Sequence, residues 1–472
     1  MPHPLVRGVT VKKLFGRYNY TLEFANKERP GNRLVLLHGD NGSGKTTLLR
    51  LIWHTLSAAE SSGHRTFLST TPFESFVVHL RGGQSILTQK SNGLVGSFTS
   101  ILRRPGKDDV VATFEADENL RVRKSSPALL PPRSYTLNTF THPSQVERLE
   151  LDWEKIEAGQ HRELLNNRAK ADFFAFLTSV AEDPLYLADD RSLYSDDDDI
   201  RRTRMMVSRR DENERDTPSV LASLVFQELR VTLQRVNEYL TRLTFGGQDV
   251  GSANSNSVYE SLLRQLAIQE PADGSRPPRS DDASFALIED IGARSLDFAR
   301  FGLAPRFDAK LFQDLLGAIQ DNGRAEIARH ILGPYLSGLR ARYDALENAK
   351  DVISTFIATV NRFLRSKQVS FSPYEGIRII AEGNEALAVE SLSSGERQLL
   401  MLLCTTLLAR DEMQLFIIDE PELSLGVEWQ RAIMPALLNL TAGTQVQFLI
   451  ATHSIEIISG SPDSLVLLEH EA

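Results

Sequence analysis

Gly39-Asp40-Asn41-Gly42-Ser43-Gly44-Lys45-Thr46 satisfies the spacing G-x-x-x-x-G-K-[ST] at every position, and no other stretch constrains the fold as tightly. Glycines at these places let the backbone curl so that successive N–H groups face inward. A helix opening at the lysine adds its partial positive charge, and together they make a nest for phosphate. The flanks agree with this. Arg33 to Leu37 is an apolar run of strand length, and the residues from Lys45 to about Leu56 keep helical spacing. A chance glycine-rich turn would lack both neighbours. In such a loop Gly39, Asn41, Gly42, Ser43, Gly44 and Thr47 line the phosphates, Lys45 bridges the β- and γ-phosphates, and the Thr46 hydroxyl binds Mg²⁺.

A second constellation lies near the other end. Leu415 to Ile418 is an apolar run that closes on Asp419 and Glu420. Acids at a strand tip are common, so this signal gains its weight from the phosphate loop: Asp419 then holds Mg²⁺ through water, and Glu420 polarises the attacking water as general base. Between the two, Ser391-Leu392-Ser393-Ser394-Gly395-Glu396-Arg397-Gln398 precedes a helical stretch. Read alone it is an N-capped helix with an acid in its first turn. Its serine hydroxyl, N–H groups and helix N-terminus are also anion ligands. Finally, the apolar run Val446 to Ile450 leads into Ala451-Thr452-His453-Ser454.

Taken together these motifs resemble the ABC-type ATPases. Ser391 to Gln398 is similar to the ABC signature, in the L-S-x-G-E form of SMC, RecF and OLD-like ATPases rather than the L-S-G-G-Q form of transporters. In that family the signature caps the γ-phosphate of ATP bound to the opposite protomer, which implies that Ser393 and Gly395 serve a partner's ATP. His453 resembles the family's switch histidine, which contacts the γ-phosphate and orients water. The resemblance thus implies catalytic roles for Lys45, Glu420 and His453, metal contacts from Thr46 and Asp419, and ATP with Mg²⁺ as cofactors. Pro421-Glu422-Leu423-Ser424-Leu425-Gly426, then Trp429-Gln430, resembles the P-E-L-S-L-H-P-x-W-Q run of OLD-like and Septu-type ATPases, with Gly426 and Val427 departing from it. The Mg²⁺-sensing glutamine is left open among Gln84, Gln89 and Gln145, and the adenine-stacking aromatic among Phe15, Tyr18 and Tyr20.

The expected fold class is α/β: an ABC-type P-loop core, a mixed sheet with an antiparallel β subdomain, interrupted by a mainly helical insertion. The first core half spans 1–125, the insertion 126–366, and the second half 367–472. Alternating residues from Arg7 to Phe24 and from about 66 to 123 predict hairpins. In the middle, Ser195 to Asp216 carries Asp196 to Asp199 and then Arg201, Arg202, Arg204, Arg209 and Arg210, and predicts a charged loop rather than a metal site. Thr217-Pro218 predicts a helix start and Gly246-Gly247 its end. Two later helical stretches are expected to part at Gly333-Pro334. Three short strands follow at 368–371, 377–380 and 387–389. No heptad persists, so an SMC-like arm is not expected.

Composition limits the partners. Hydrophobic residues make up 41% and charged residues 24%, ordinary for a packed protein, and the net charge of -9 gives no global pull toward nucleic acid. DNA binding would need a local strip from Arg103, Arg104, Lys107, Arg121, Arg123, Lys124 and Arg201 to Arg210, and scattered solvated charge is the plainer reading. The single cysteine, Cys404, falls in an apolar helical stretch and excludes an internal disulfide. No apolar run is long enough for a membrane span and no secretory signal is visible, so a cytoplasmic protein is expected. The resemblance implies a head-to-tail homodimer or higher oligomer around two ATPs. It is loosest in the middle, toward ATPases encoded in anti-phage operons such as Septu, PARIS and retron-associated systems. That implies a sensor subunit controlling a separately encoded effector, such as a nuclease, since the chain closes soon after His453. The alternative is a DNA repair or chromosome-maintenance ATPase of the RecF or SMC kind.

Overall fold

The structure is a computed structural model, and it describes residues 4–24, 33–60, 62–122, 163, 165–180, 184–189, 193–194, 226–245, 281–318, 322–383, 385–412 and 414–469. In chain order the elements are β1 (Val6–Leu14), β2 (Tyr18–Glu23), β3 (Leu34–His38), α1 (Lys45–Leu56), α2 (His64–Thr70), β4 (Ser75–Leu80), β5 (Ser85–Lys90), β6 (Phe98–Arg104) and β7 (Lys107–Phe114). A helix α3 over 165–180 follows, then β8 (Leu185–Leu187), β9 (Leu193–Tyr194) and a helix α4 over 226–245. Next come α5 (Asp281–Arg300), α6 (Ala309–Ala318), α7 (Asn322–Phe363), β10 (Lys367–Ser372) and β11 (Gly376–Ala381). The chain closes with α8 (Ser394–Glu412), β12 (Leu415–Asp419), α9 (Val427–Leu440), β13 (Gln447–Ala451), α10 (Ile455–Gly460) and β14 (Leu465–Leu467). The mixed α/β class expected from the sequence is the class observed.

Two compact units result: residues 1–215, 409–435 and 441–472 form the first, and residues 216–408 and 436–440 the second. The first holds two six-stranded sheets. One is antiparallel, in the order β2-β1-β4-β5-β6-β7, built from the predicted hairpins. Its strands bury alternate residues, as in β4, because one face packs inward and the other meets solvent. The other sheet has the order β14-β3-β13-β12-β8-β9 and is parallel apart from β9. Every residue of β12 and β13 is buried, which is why these segments read as unbroken apolar runs rather than alternating ones. Leu48, Leu49, Ile52 and Leu56 of α1 share one apolar core with Val9, Phe76, Phe98 and Phe173. The buried Gln447 side chain joins the sheets, accepting from the Val6 amide and donating to the Val6 carbonyl at 2.8 Å each.

Strand β8 lies within 126–366, the span read as a helical insertion, yet it pairs in parallel with β12 through Leu185, Tyr186 and Leu187. The indole of Trp53 in α1 fastens it by donating to the Pro184 carbonyl at 2.9 Å. A helix also stands at His64–Thr70, just ahead of the hairpins.

In the second unit α5 and α7 pack through Ile291, Phe298, Tyr343 and Leu346, and Arg294 donates to Asp344 at 2.7 Å and Glu347 at 2.9 Å. Gly292 lets α6 approach, since a Cβ there would lie 2.5 Å from that of Ala309. Helix α7 runs for 42 residues straight through Gly333-Pro334, where the sequence predicted a break. An interior proline costs about 3 kcal/mol; burial of Leu336, Tyr343, Leu346, Ile353, Phe356 and Val360 along one helix outweighs it. Strands β10 and β11 form the predicted hairpin, held to α7 by Asn361, whose amide donates to Val369 O at 2.9 Å. The third expected strand, 387–389, does not form. Ala386 makes a single bridge to Ile380, and Val389–Ser391 turns, with the Ser391 hydroxyl bonded back to Ala388 O. Cys404 is buried in α8, and burial pushes its thiol pKa up, as an inert core residue requires. Asp196–Asp199, Arg201–Arg210, Thr217-Pro218 and Gly246-Gly247 lie outside the described residues.

Candidate functional site

The parallel sheet places the motifs. Strand β13 lies between β3 and β12, with Ala451 opposite both Leu37 and Asp419. The three strands therefore end in one row. The phosphate loop after β3, the acids after β12 and Thr452 to Ser454 after β13 leave the sheet side by side, the usual place for a ligand in an α/β sheet.

The loop after β3 is held open by its backbone. Gly44 is the N-cap of α1 at φ +91, a left-handed conformation, and a Cβ there would meet Leu14 at 3.0 Å and Phe15 at 3.3 Å. The buried Tyr20 hydroxyl donates to the Ser43 carbonyl at 2.8 Å. No side chain caps α1 and no acid stands in its first turn, so its N–H groups and dipole remain free for an anion. Lys45 is 6% exposed, and its ammonium donates to the carbonyls of Gly39 (2.8 Å) and Asp40 (3.0 Å). Burial pulls its pKa below the usual lysine value, while the charges of Glu420, Asp419, Asp40 and Glu422 push back.

Asp419 is 2% exposed, and burial pushes its carboxyl up to about 6, against the lowering effect of hydrogen bonds from Thr46 and Tyr186. The Tyr186 hydroxyl donates to Asp419 Oδ2 at 3.2 Å, and Arg50 of α1 hydrogen-bonds the same phenol. Burial is also the main reason the Tyr186 phenol is pushed up, so it stays a donor. Glu420 sits at φ 49, fixed there by its amide donating to Ala451 O at 2.9 Å. A left-handed non-glycine costs about 1–2 kcal/mol, and such strain clusters at functional sites. His453 Nε2 lies 3.8 Å from Glu420 Oε1. Thr452, His453 and Ser454 are tied to Glu422 by hydrogen bonds to its Oε1.

Among the described residues, Ser43 Oγ and Asp419 Oδ1 are buried without a hydrogen-bond partner. An unmet buried oxygen costs about 1–3 kcal/mol. A phosphate on the loop and a hydrated divalent cation beside Asp419 would satisfy both, so the donor set fits a Mg²⁺-bound nucleoside triphosphate.

The first unit thus gathers Gly39, Asn41, Gly42, Ser43, Gly44, Lys45, Thr46, Thr47, Asp419, Glu420 and His453 on one edge of one sheet. Ser393 and Gly395 belong to the second unit. There the Ser393 amide donates to Glu396 Oε2 at 2.7 Å, the Glu396 amide to Ser393 Oγ at 3.3 Å, and Lys367 Nζ to Glu396 Oε2 at 2.8 Å. This is a capping box held by an ion pair, and Ser393 itself stays exposed. Of the three aromatic candidates, Tyr20 is buried and committed to Ser43, Tyr18 lies under the Arg17 guanidinium, and Phe15 is 44% exposed beside Gly44. Gln89 falls on the antiparallel sheet in β5, Gln84 lies in the turn between β4 and β5, and Gln145 lies outside the described residues. In the β6–β7 hairpin Arg103 pairs with Asp109 at 3.6 Å and Arg104 donates to Asp108 O at 3.4 Å, so its basic charge is partly answered locally. Sequence reasoning missed Tyr186, Arg50 and Glu422. The apolar run after Pro184 and the acid following Glu420-Pro421 were the available signals.

Residues 250–459 match the family model described as "AAA domain, putative AbiEii toxin, Type IV TA system". The match takes in Ser393, Asp419, Glu420 and His453 and leaves the phosphate loop outside. No curated protein matches the chain. Three solved structures align over nearly all of it. The Smc head domain with an extended coiled coil bound to the C-terminal domain of ScpA, from Pyrococcus furiosus, shares 10% identity over 99% of this chain and 96% of that one, with a TM-score of 0.37. An SmcHead bound to the C-winged helix domain of ScpA gives 10%, 98%, 96% and 0.35 in the same order. The Smc head domain with a coiled coil and joint from Pyrococcus yayanosii gives 13%, 100%, 98% and 0.32. No described helix is long and apolar enough to cross a membrane.

Proposed function

We propose that this chain is an ATP-hydrolysing switch of the ABC type that closes as a head-to-tail dimer around two ATPs. The supporting observation is the single edge where Lys45, Thr46, Asp419, Glu420 and His453 converge, with buried oxygens on Ser43 and Asp419 left for a ligand. The loop amides and Lys45 bind the β- and γ-phosphates. Thr46 and Asp419 would hold Mg²⁺, which when bound would supply positive charge beside the phosphates. Glu420 takes the proton of the attacking water, and His453, on the adjacent strand end, orients that water against the γ-phosphate. Ser393 and Gly395 of a second copy complete the site, so ATP binds the closed dimer more tightly than the open one and shifts that equilibrium. Phe15, exposed at the loop, stacks on adenine.

The use proposed for the switch is a sensor subunit of an anti-phage defence complex that restrains or licenses a separate effector, in line with the toxin–antitoxin description of the matched family. Steady-state phosphate release together with the mass of the particle with and without ATP tests the first statement. ATP-dependent dimers and Mg²⁺-dependent release are expected; a monomer at saturating ATP overturns it. Co-purification with the product of a neighbouring gene tests the second. DNA affinity that is salt-sensitive and rises with ATP would replace it with the repair-clamp reading.

A further inference from the structure

Glu422 connects two parts of the site that the motifs treat as separate. It stands two residues beyond Glu420, on the turn after β12. Its Oε1 accepts three hydrogen bonds from the turn after β13: from Thr452 Oγ1 at 2.9 Å, from the His453 amide at 2.5 Å and from the Ser454 amide at 3.1 Å. The Thr452 hydroxyl in turn accepts from the Ser454 amide at 3.0 Å. A second link runs in parallel. Ser454 Oγ donates to Gln430 Oε1 at 2.7 Å, and Gln430 Nε2 donates to Leu425 O at 2.8 Å. One carboxylate oxygen therefore ties two consecutive amides and a hydroxyl of the histidine turn to the turn that carries Glu420.

We infer that Glu422 is a positioning residue that sets the distance between His453 and Glu420, and so holds the water-activating pair in register; this rests on the ATPase reading above. The geometry carries it. Glu420 and His453 come from different strands, and their side chains are 3.8 Å apart, too far for a hydrogen bond to fix either one. Backbone amides held by an ionised acceptor make strong, short bonds. The His453 side chain is thereby placed by its own main chain and not by the groups it acts on. Thr452 is fixed at the same time through its own amide, which donates to Leu37 O at 3.1 Å, so the histidine turn is referenced to β3 and the phosphate loop as well. Glu422 does not touch the reacting atoms. Its second oxygen is buried without a hydrogen-bond partner among the described residues, and its charge acts on Lys45 only through space.

Two substitutions separate geometry from charge. Glu422→Gln keeps an accepting oxygen for the three donors and loses the charge, whereas Glu422→Ala loses both. In ATP hydrolysis assays Glu422→Ala lowers kcat about 10²-fold, the size of effect a misplaced catalytic group brings, with ATP affinity by titration within about threefold of wild type, since the phosphate loop is untouched. Glu422→Gln stays within about tenfold of wild-type kcat, because neutral hydrogen bonds replace charged ones. The second readout is independent of activity: hydrogen exchange at the amides of His453 and Ser454 speeds up in Glu422→Ala and remains slow in Glu422→Gln. Wild-type kcat or unchanged exchange in Glu422→Ala overturns the proposal, as does a Glu422→Gln variant as impaired as Glu422→Ala in both readouts. A wild-type chain that hydrolyses no ATP overturns the ATPase reading instead, and the exchange data then decide Glu422's structural part alone.

Discussion

Two helix N-termini in this chain are assigned to phosphate, and they are built in opposite ways. Helix α1 opens at Gly44 with no side-chain cap and no acid in its first turn. Helix α8 opens at Ser393 with its first amides already answered by Glu396 and Ser393, and with Lys367 balancing the glutamate. Both ends carry the same dipole. The first leaves donors that a ligand must satisfy, together with buried oxygens on Ser43 and Asp419. At the second, the Ser393 and Glu396 amides already have side-chain partners. Under the proposed function the contrast has a use: the α1 end would hold its own nucleotide, and the α8 end, with Ser393 exposed, would meet one bound by a second copy.

The largest effect should come from the unsatisfied end. Lys45→Ala removes the cation that the loop carbonyls hold ready, and both ATP affinity by titration and kcat/KM should collapse, the latter by more than about 10³-fold. Near-normal binding would mean that the α1 end is no more ligand-dependent than the α8 end. Glu420→Gln separates holding from turnover. Hydrolysis should fall about 10³-fold while affinity is retained, and a dimer formed with ATP should persist on a sizing column. Turnover at the wild-type rate would remove Glu420 from the role of base.

Ser393→Ala tests the satisfied end. Turnover should drop on the order of 10²-fold, as for loss of one donor to developing charge, with ATP affinity of the separated chains unchanged. The sharper form mixes Ser393→Ala with Lys45→Ala. In a head-to-tail dimer one site then combines an intact phosphate loop from one copy with an intact Ser393 from the other, so activity should reappear in the mixture. Two inactive variants that stay inactive together would show that the two ends do not serve one nucleotide.

How much of this was legible beforehand follows from the range of the interactions. The phosphate loop, Asp419 and the strand before His453 were readable because each is a local pattern: glycine spacing, or an apolar run closing on an acid. The fifth strand of the parallel sheet was not, because Leu185–Leu187 is three residues long and gains its partner from β12, far along the chain. Tyr186 was hidden for the same reason, although it bonds Asp419 directly. Glu422 was visible as a letter in a motif, but its function depends on amides some thirty positions away. The proline in α7 misled in the other direction, since a local breaker signal gave way to burial along the entire helix.

The far end of α1 supplies the mildest test, because there His54, His64 and Arg65 bond one another and the last helix carbonyls. His54 Nδ1 and His64 Nδ1 are 2.9 Å apart in the core, and Arg65 donates to His54 O at 2.6 Å and Ser57 O at 2.8 Å, closing the last turn. One imidazole must donate and the other accept, so the pair is complete when both are neutral. Burial holds the His54 pKa well below the usual histidine value, and the charges of His64, Arg65 and Arg50 depress it further. The unfolded chain takes up this proton below about pH 6.5 and the native chain does not. The contribution of His54 to stability is therefore present above that pH and drains away as pH falls toward the folded value, by up to about 1.4 kcal/mol per pH unit. His54→Phe keeps the stacking surface against Phe67, whose ring centroid lies 3.9 Å from that of His54, and cannot titrate. Melting curves between pH 5 and 8 should show wild type losing stability on the acid side faster than His54→Phe, with the gap between them narrowing as pH falls. Parallel curves would mean that His54 is not buried as a neutral imidazole at α1's far end, and the contrast between its two ends would fail with it.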